Sequence, residues 1–165
     1  MAKTNLDLAR FVQAKIGSGF LYGAFGRTLT ETLLQAKLMQ FPAQISVDLP
    51  EIRSRWMGCS VCDDIGLVKW FFWERPDGSV GYATEGFPDI TSGTLFYRAR
   101  IKGPLSALPE LPGLALWRNG HMGIYIGRGA LVEAKDAGSG VVQSCLSDRD
   151  FTHWFKIPGL YYLSI

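Results

Sequence analysis

The run GHMGIYIGRGALVEA, Gly120 to Ala134, constrains the chain more tightly than any other stretch. Its β-branched and aromatic residues, interrupted by Gly127-Arg128-Gly129, read as an antiparallel hairpin. A three-residue loop with Gly129 in the left-handed conformation pairs Ile126 with Ala130. Counting back puts Gly123 opposite Glu133, with His121 on the same face one diagonal step away, roughly 7–8 Å between backbones. Long polar side chains meet across that distance. A two-residue loop would reverse the parity and separate them. A histidine held by a carboxylate is a base with its orienter, the pair that general-base chemistry requires. The plain alternative is a surface histidine beside a surface acid.

The rest of the chain supplies helices first and strands second. Leu8, Phe11, Val12 and Ile16 share one face of a helix expected over Asn5 to Ile16, stopped by Gly17. A glycine- and aromatic-rich loop, GSGFLYGAFG, follows. Thr28 and Glu31 have capping-box spacing for a second helix containing Leu33, Leu34 and Leu38, with Pro42 beyond its end. An irregular stretch is expected to Gly58. Asp63 or Asp64 caps a third helix that buries Ile65, Val68 and Phe72. Pro76-Asp77-Gly78 makes a turn, Thr91 to Ala99 a short helix, and Gly103 to Gly113 a proline-stiffened connection. Strands are expected at Leu114–Trp117, His121–Ile126, Ala130–Ala134, Val141–Gln143 and Leu160–Leu163. That order is α+β, with N-terminal helices packed on an antiparallel sheet.

Composition narrows the classes. At 165 residues, 47% apolar and 19% charged, the chain suits a single domain spanning residues 1–165, with a sizeable core. A net charge of +2 does not argue for nucleic acid, and Arg53, Arg55, Arg98, Arg100 and Lys102 read as scattered surface charges. No apolar run reaches membrane-spanning length, and Met1 to Leu8 carries no signal-peptide pattern. Synthesis in the cytoplasm is therefore expected, with any action outside the cell following release, and no membrane partner. The lone Cys59-x-x-Cys62 is a weak zinc or redox signal, so unpaired thiols are expected, Cys145 included. His153 lies in a Trp- and Phe-rich tail and reads as a packing or surface residue.

Several of these motifs together resemble the NlpC/p60 family of cell-wall cysteine peptidases. Glu133 follows His121 by twelve residues, as the third catalytic residue follows the histidine in that family. Asp63-Asp64-Ile65-Gly66-Leu67-Val68 matches its Asp-Cys-small-Gly-Leu/Phe-Val helix start, and Leu21-Tyr22-Gly23-Ala24-Phe25-Gly26 its tyrosine loop. Pro112-Gly113 matches the Pro-Gly before the first strand. The resemblance runs over roughly residues 6–163 and is nearest to a subgroup common in phage and gut-bacterial lysis proteins. It implies a papain-like α+β fold and a peptidoglycan stem-peptide substrate. His121 would be the base, Glu133 its orienter, and Tyr22 with backbone amides would stabilise the oxyanion. A monomer without metal or cofactor is expected.

One position departs from the pattern. Asp64 stands where the family has its nucleophilic cysteine. A carboxylate there cannot form a thioester and is a far poorer nucleophile toward an amide. Four accounts compete: a deliberate inactivating change or a modified cysteine written as Asp, retirement of the enzyme into a cell-wall-binding module, takeover by Cys62, or a metal set of Asp64, His121 and Glu133. The residue types alone do not choose among them.

Overall fold

The computed structural model describes residues 2–164. Along the chain come α1 (Asn5–Ala14), β1 (Gly19–Phe20), β2 (Phe25–Thr28), α2 (Glu31–Gln40), α3 (Pro42–Ile45), α4 (Leu49–Trp56), β3 (Ser60–Cys62) and α5 (Asp64–Trp73). There follow α6 (Ser92–Arg98), β4 (Lys102–Pro104), β5 (Ala115–Arg118), β6 (His121–Gly127), β7 (Ala130–Asp136), β8 (Gly140–Cys145) and β9 (His153–Phe155). The class is α+β, as the order of elements suggested. No helix among the described residues is long and apolar enough to cross a membrane.

The contacts divide the chain into two compact units. The first takes the segment up to Lys15, Pro88–Glu133, and the chain from Gln143 onward. In its sheet, β9 pairs antiparallel with both β4 and β5, β5 pairs antiparallel with β6, and β6 with β7. The full strand order is β4-β9-β5-β6-β7-β8. α1 and α6 lie against β6. Leu114, Leu116, Tyr125, Leu131 and Phe151 form a buried cluster in this unit.

The second unit holds Ile16–Phe87 and the hairpin end Ala134–Val142. Here β3 runs between β1, to which it is parallel, and β2, to which it is antiparallel. α5 packs on β2 and β3. It is apolar almost all round, and eight of its ten residues are buried, as such a helix requires. Leu21, Leu29, Leu34, Ile45, Ile52 and Val61 make the core beside it. The hairpin end is fastened by Trp56 Nε1 donating to Ala137 O at 2.6 Å and by Val141 N donating to Ser18 O at 2.9 Å.

Several expectations are corrected. α1 stops at Ala14, which leaves Ile16 exposed at 44% instead of on the buried face. Thr30, not Thr28, caps α2, accepting from Leu33 N at 3.1 Å, because Thr28 is held in β2 opposite Ser60. Pro42 begins a helix besides following one. The stretch expected to be irregular is α3, a 3-10 turn over Ser46–Asp48, and α4. Its two prolines sit in first turns, where a missing N–H costs nothing. The tail strand lies at His153–Phe155. At Leu160–Leu163 there is only an isolated parallel bridge, Thr4 with Tyr161. Within the Gly103–Gly113 connection, Gly103 and Pro104 belong to the edge strand β4, a place that tolerates proline.

Asn5 ties the tail to the start of the chain. It is fully buried, its Nδ2 donates to Pro112 O at 2.8 Å and Leu163 O at 3.2 Å, and its Oδ1 accepts from Leu163 N at 2.7 Å. Asn5→Ala should orphan these groups and lower unfolding free energy by about 2–4 kcal/mol in urea titration. A loss below about 0.5 kcal/mol would show that water replaces the amide there.

Candidate functional site

The hairpin carrying His121 and Glu133 reaches the expected register by an unexpected route. Gly127 pairs with Ala130, so the loop has two residues, Arg128 and Gly129, with φ of +54° and +73°. Positive φ at both central positions is the requirement of a type I′ turn. Such a loop alone would put His121 and Glu133 on opposite faces. β6 instead carries one extra residue, Ile126, between the pairs Tyr125–Leu131 and Gly127–Ala130. This bulge restores the parity. Glu110 secures the turn, accepting from Tyr125 Oη at 2.6 Å and from Arg128 N at 2.7 Å.

Beyond the bulge Ile124 pairs with Val132, and one residue further along Gly123 lies beside Glu133. A Cβ on Gly123 would fall 2.7 Å from Leu131 Cδ1 and 3.3 Å from Glu133 Cβ, so the glycine leaves space for the acid. His121 Nε2 lies 2.6 Å from Glu133 Oε2. The carboxylate is an acceptor only, so Nε2 carries the proton and Nδ1 is the basic nitrogen. Phe151 stacks against the imidazole, with ring centres 5.7 Å apart.

Glu133 has no solvent exposure, and its oxygens are fully engaged. Ser144 Oγ donates to Oε1 at 2.7 Å, Arg149 Nη2 donates to Oε2 at 3.0 Å, and Arg149 Nε lies 2.7 Å from Oε1. Burial pushes the carboxyl up, but the bonds from His121, Ser144 and Arg149 outweigh it and hold the group at about 2. Ser144 and Arg149 were not found by sequence reasoning. They arrive from β8 and the turn after it, and no spacing rule links them to position 133.

The second unit presents the other residues. Asp63 caps α5: its Oδ1 accepts from Gly66 N at 2.6 Å and its Oδ2 from Gly23 N at 2.7 Å. One carboxylate therefore joins the helix start to the tyrosine loop. A Cβ on Gly66 would lie 1.9 Å from Ala24 O, so the close approach depends on glycine. Burial raises the Asp63 carboxyl, and the charge of Asp64 raises it further, against the pull of the Gly23 and Gly66 amides. Asp64 opens α5 and stays partly accessible, whereas the next four residues are buried. Tyr22 sits edge-on to Phe41 at 5.0 Å; burial raises its hydroxyl first, then the charges of Asp63 and Asp64.

None of the cysteines forms a disulfide. Cys62 has no solvent exposure on β3, which disfavours it as a nucleophile. His153 packs edge-on against Phe96 and Trp117, as expected of a packing residue. Among the described residues, no group of three or more His, Cys, Asp and Glu side chains is placed to hold a metal ion.

No protein-family model matches the chain, and no curated protein does. Solved structures match its fold, which is that of NlpC/p60 domains. The NlpC/p60 domain of the peptidoglycan hydrolase SagA is 13% identical with a TM-score of 0.51, over 93% of this chain and 99% of that one. NlpC2 and NlpC1 from Trichomonas vaginalis are 14% and 16% identical, each with a TM-score of 0.53, over 94% and 92% of this chain. The match covers 48% and 45% of those two proteins, about half of each. At such identities the likeness is one of fold.

The Glu133 network predicts a specific acid response. The carboxyl is held below its unfolded value, so its stabilisation is complete above about pH 4.5 and is lost as pH falls toward 2. Glu133→Gln removes that component. The parent should lose about 2 kcal/mol more than the variant between about pH 7 and pH 3 in denaturant titrations. Parallel pH profiles would mean the carboxyl titrates normally.

Proposed function

We propose that this chain is a peptidoglycan stem-peptide hydrolase scaffold of the cysteine-peptidase kind, with aspartate in the nucleophile's place. The observation that carries the reading is the buried Glu133 carboxylate, which fixes His121 through Nε2 and leaves Nδ1 as base. A packing histidine needs no such arrangement. The peptidoglycan substrate comes from the SagA domain that shares the fold. The family resemblance adds the bond, a stem-peptide amide next to D-glutamate or the cross-linking diamino acid.

In this reading position 64 holds the nucleophile at the start of α5, where the helix N-terminus lowers a thiol's pKa. A cysteine thiolate there attacks the amide carbon. The tetrahedral oxyanion takes hydrogen bonds from Tyr22 and the first amides of the helix. His121 Nδ1, which by the family resemblance takes the thiol's proton as the thiolate forms, passes it to the departing amine, and water then releases the acyl group from sulfur. Asp64 keeps the negative charge but not this chemistry, because the corresponding acyl product would be a mixed anhydride.

A second reading is favoured by Asp64 itself: a cell-wall-binding module derived from such an enzyme. Zymography and cell-wall pull-down separate the two. Clearing by the chain as it stands supports an enzyme, and pull-down without clearing supports a binder.

Asp64→Cys is the decisive variant. It should gain cell-wall lysis, and iodoacetamide should alkylate the new thiol faster than Cys59 or Cys145. His121→Ala in that background should slow the labelling and cut lysis by about 10²- to 10⁴-fold. A folded Asp64→Cys protein with neither rapid labelling nor lysis leaves the binding module as the better reading.

A further inference from the structure

A cleft of about 390 Å³ opens in the first unit, between the end of α6 with the residues just after it and the segment 156–162. It shares no residue with the His121–Glu133 cluster. Arg98, Arg100 and Lys156 bring positive charge to it, and Ile101, Leu160 and Tyr161 give it an apolar lining. Among the described residues none of these three cations takes part in an ion pair. Arg53 and Arg149, by contrast, are paired with Glu31 and Glu133.

The wall is fixed before any ligand arrives. Tyr162 Oη accepts from Ile157 N at 2.8 Å and donates to Gly113 O at 3.1 Å. Tyr161 N donates to Lys3 O at 2.9 Å, and Tyr161 O accepts from Asn5 N at 3.1 Å. Lys156 Nζ covers the Tyr162 ring, 4.9 Å from its centre, so that face is taken. Tyr161 is 68% exposed and Ile101 is 52% exposed. Large apolar groups left open beside unpaired cations, in a preformed cleft of ligand size, are the features of a binding site.

We propose that this cleft binds an anionic sugar, a ring bearing a carboxylate or a phosphate. The anion is taken by Arg98, Arg100 and Lys156, whose donors suit either group. The ring lies on the open face of Tyr161. One exposed aromatic face suits a saccharide ring, whereas a nucleobase gains most from being stacked on both sides. The volume accommodates about one or two such rings. This inference does not depend on the hydrolase reading.

The test is a titration of the full chain, followed by amide chemical shifts, with glucose 6-phosphate and galacturonic acid as probes and glucose and AMP as controls. Saturable shifts at residues 98–101 and 156–162 are expected with at least one anionic sugar and not with glucose. Binding by galacturonic acid alone makes the ligand a sugar acid, and binding by glucose 6-phosphate alone a sugar phosphate. The double variant Arg98→Ala with Arg100→Ala should weaken binding at least tenfold, as should raising the salt. Both arginines are exposed, so the fold should survive. Lys156→Met and Tyr161→Ala each provide a separate variant with the same expected direction. No saturable shift with either sugar, shifts elsewhere, undiminished binding by the variants, or AMP binding more tightly than both sugars would overturn the proposal.

Discussion

A carboxylate with no access to water is the most demanding group in this structure, and the arrangement around Glu133 answers that demand. An unpaired charge at such a depth would cost several kcal/mol, so every oxygen lone pair must find a donor. His121 supplies one from the neighbouring strand, Ser144 another from β8, and Arg149 a charged one from the turn beyond. Each donor imposes a condition on the backbone. His121 needs the parity set by the Ile126 bulge, Glu133 needs the space left by Gly123, and Arg149 needs the chain to return after β8. The imidazole orientation is then a by-product of satisfying the acid. That order of cause matters, because a histidine fixed by a structural necessity is preorganised at no further entropic cost when a substrate binds.

The start of α5 is governed by a comparable constraint of opposite character. Asp63 serves two backbone amides at once, one on the helix and one on the tyrosine loop. With Asp63 committed to that staple, the next residue is the first side chain of the helix left partly open. Its place is thus set by its neighbour and by Gly66, not by its own chemistry. Aspartate there gains from the helix N-terminus but stands next to a second, buried carboxyl, which burial first and then the charge of Asp64 push up. A thiolate would meet the same field. A neutral thiol would escape it.

Much of this was legible in the sequence, and the parts that were not share a cause. The hairpin, the capping aspartate and the apolar α5 follow from local patterns, and so did the pairing of positions 121 and 133. The loop, however, has two residues where the sequence suggests three. The right parity came from a bulge at Ile126, which leaves no mark in a sequence when the surplus residue is itself apolar. By spacing Thr28 is the better cap, with Glu31 three residues on where Thr30 has Leu33. The pairing of Thr28 with Ser60 on β3 overrides that preference. α3 and α4 are too short, at four and eight residues, to show a clear stripe, and Pro42 and Pro50 hide them. Ser144 and Arg149 could not be assigned to the acid because their meeting with it is purely tertiary.

Charge illustrates the same distinction between what is counted and what is arranged. A net +2 argues for no particular partner, and by composition the arginines are interchangeable. In the structure five of the ten have an acidic partner among the described residues. Arg10, Arg53, Arg55, Arg118 and Arg149 each have an acid of the chain itself, Asp7, Glu31, Glu51, Asp150 and Glu133 respectively. The exposed pairs contribute little to stability, but they use up the charge that would otherwise attract a ligand. Arg98, Arg100 and Lys156 have no such partner among the described residues and converge on one cleft, so their field remains available to an outside anion. The potential a ligand meets is therefore set by which cations are left over once the internal pairs are made, and three of these, Arg98, Arg100 and Lys156, come together beside Tyr161.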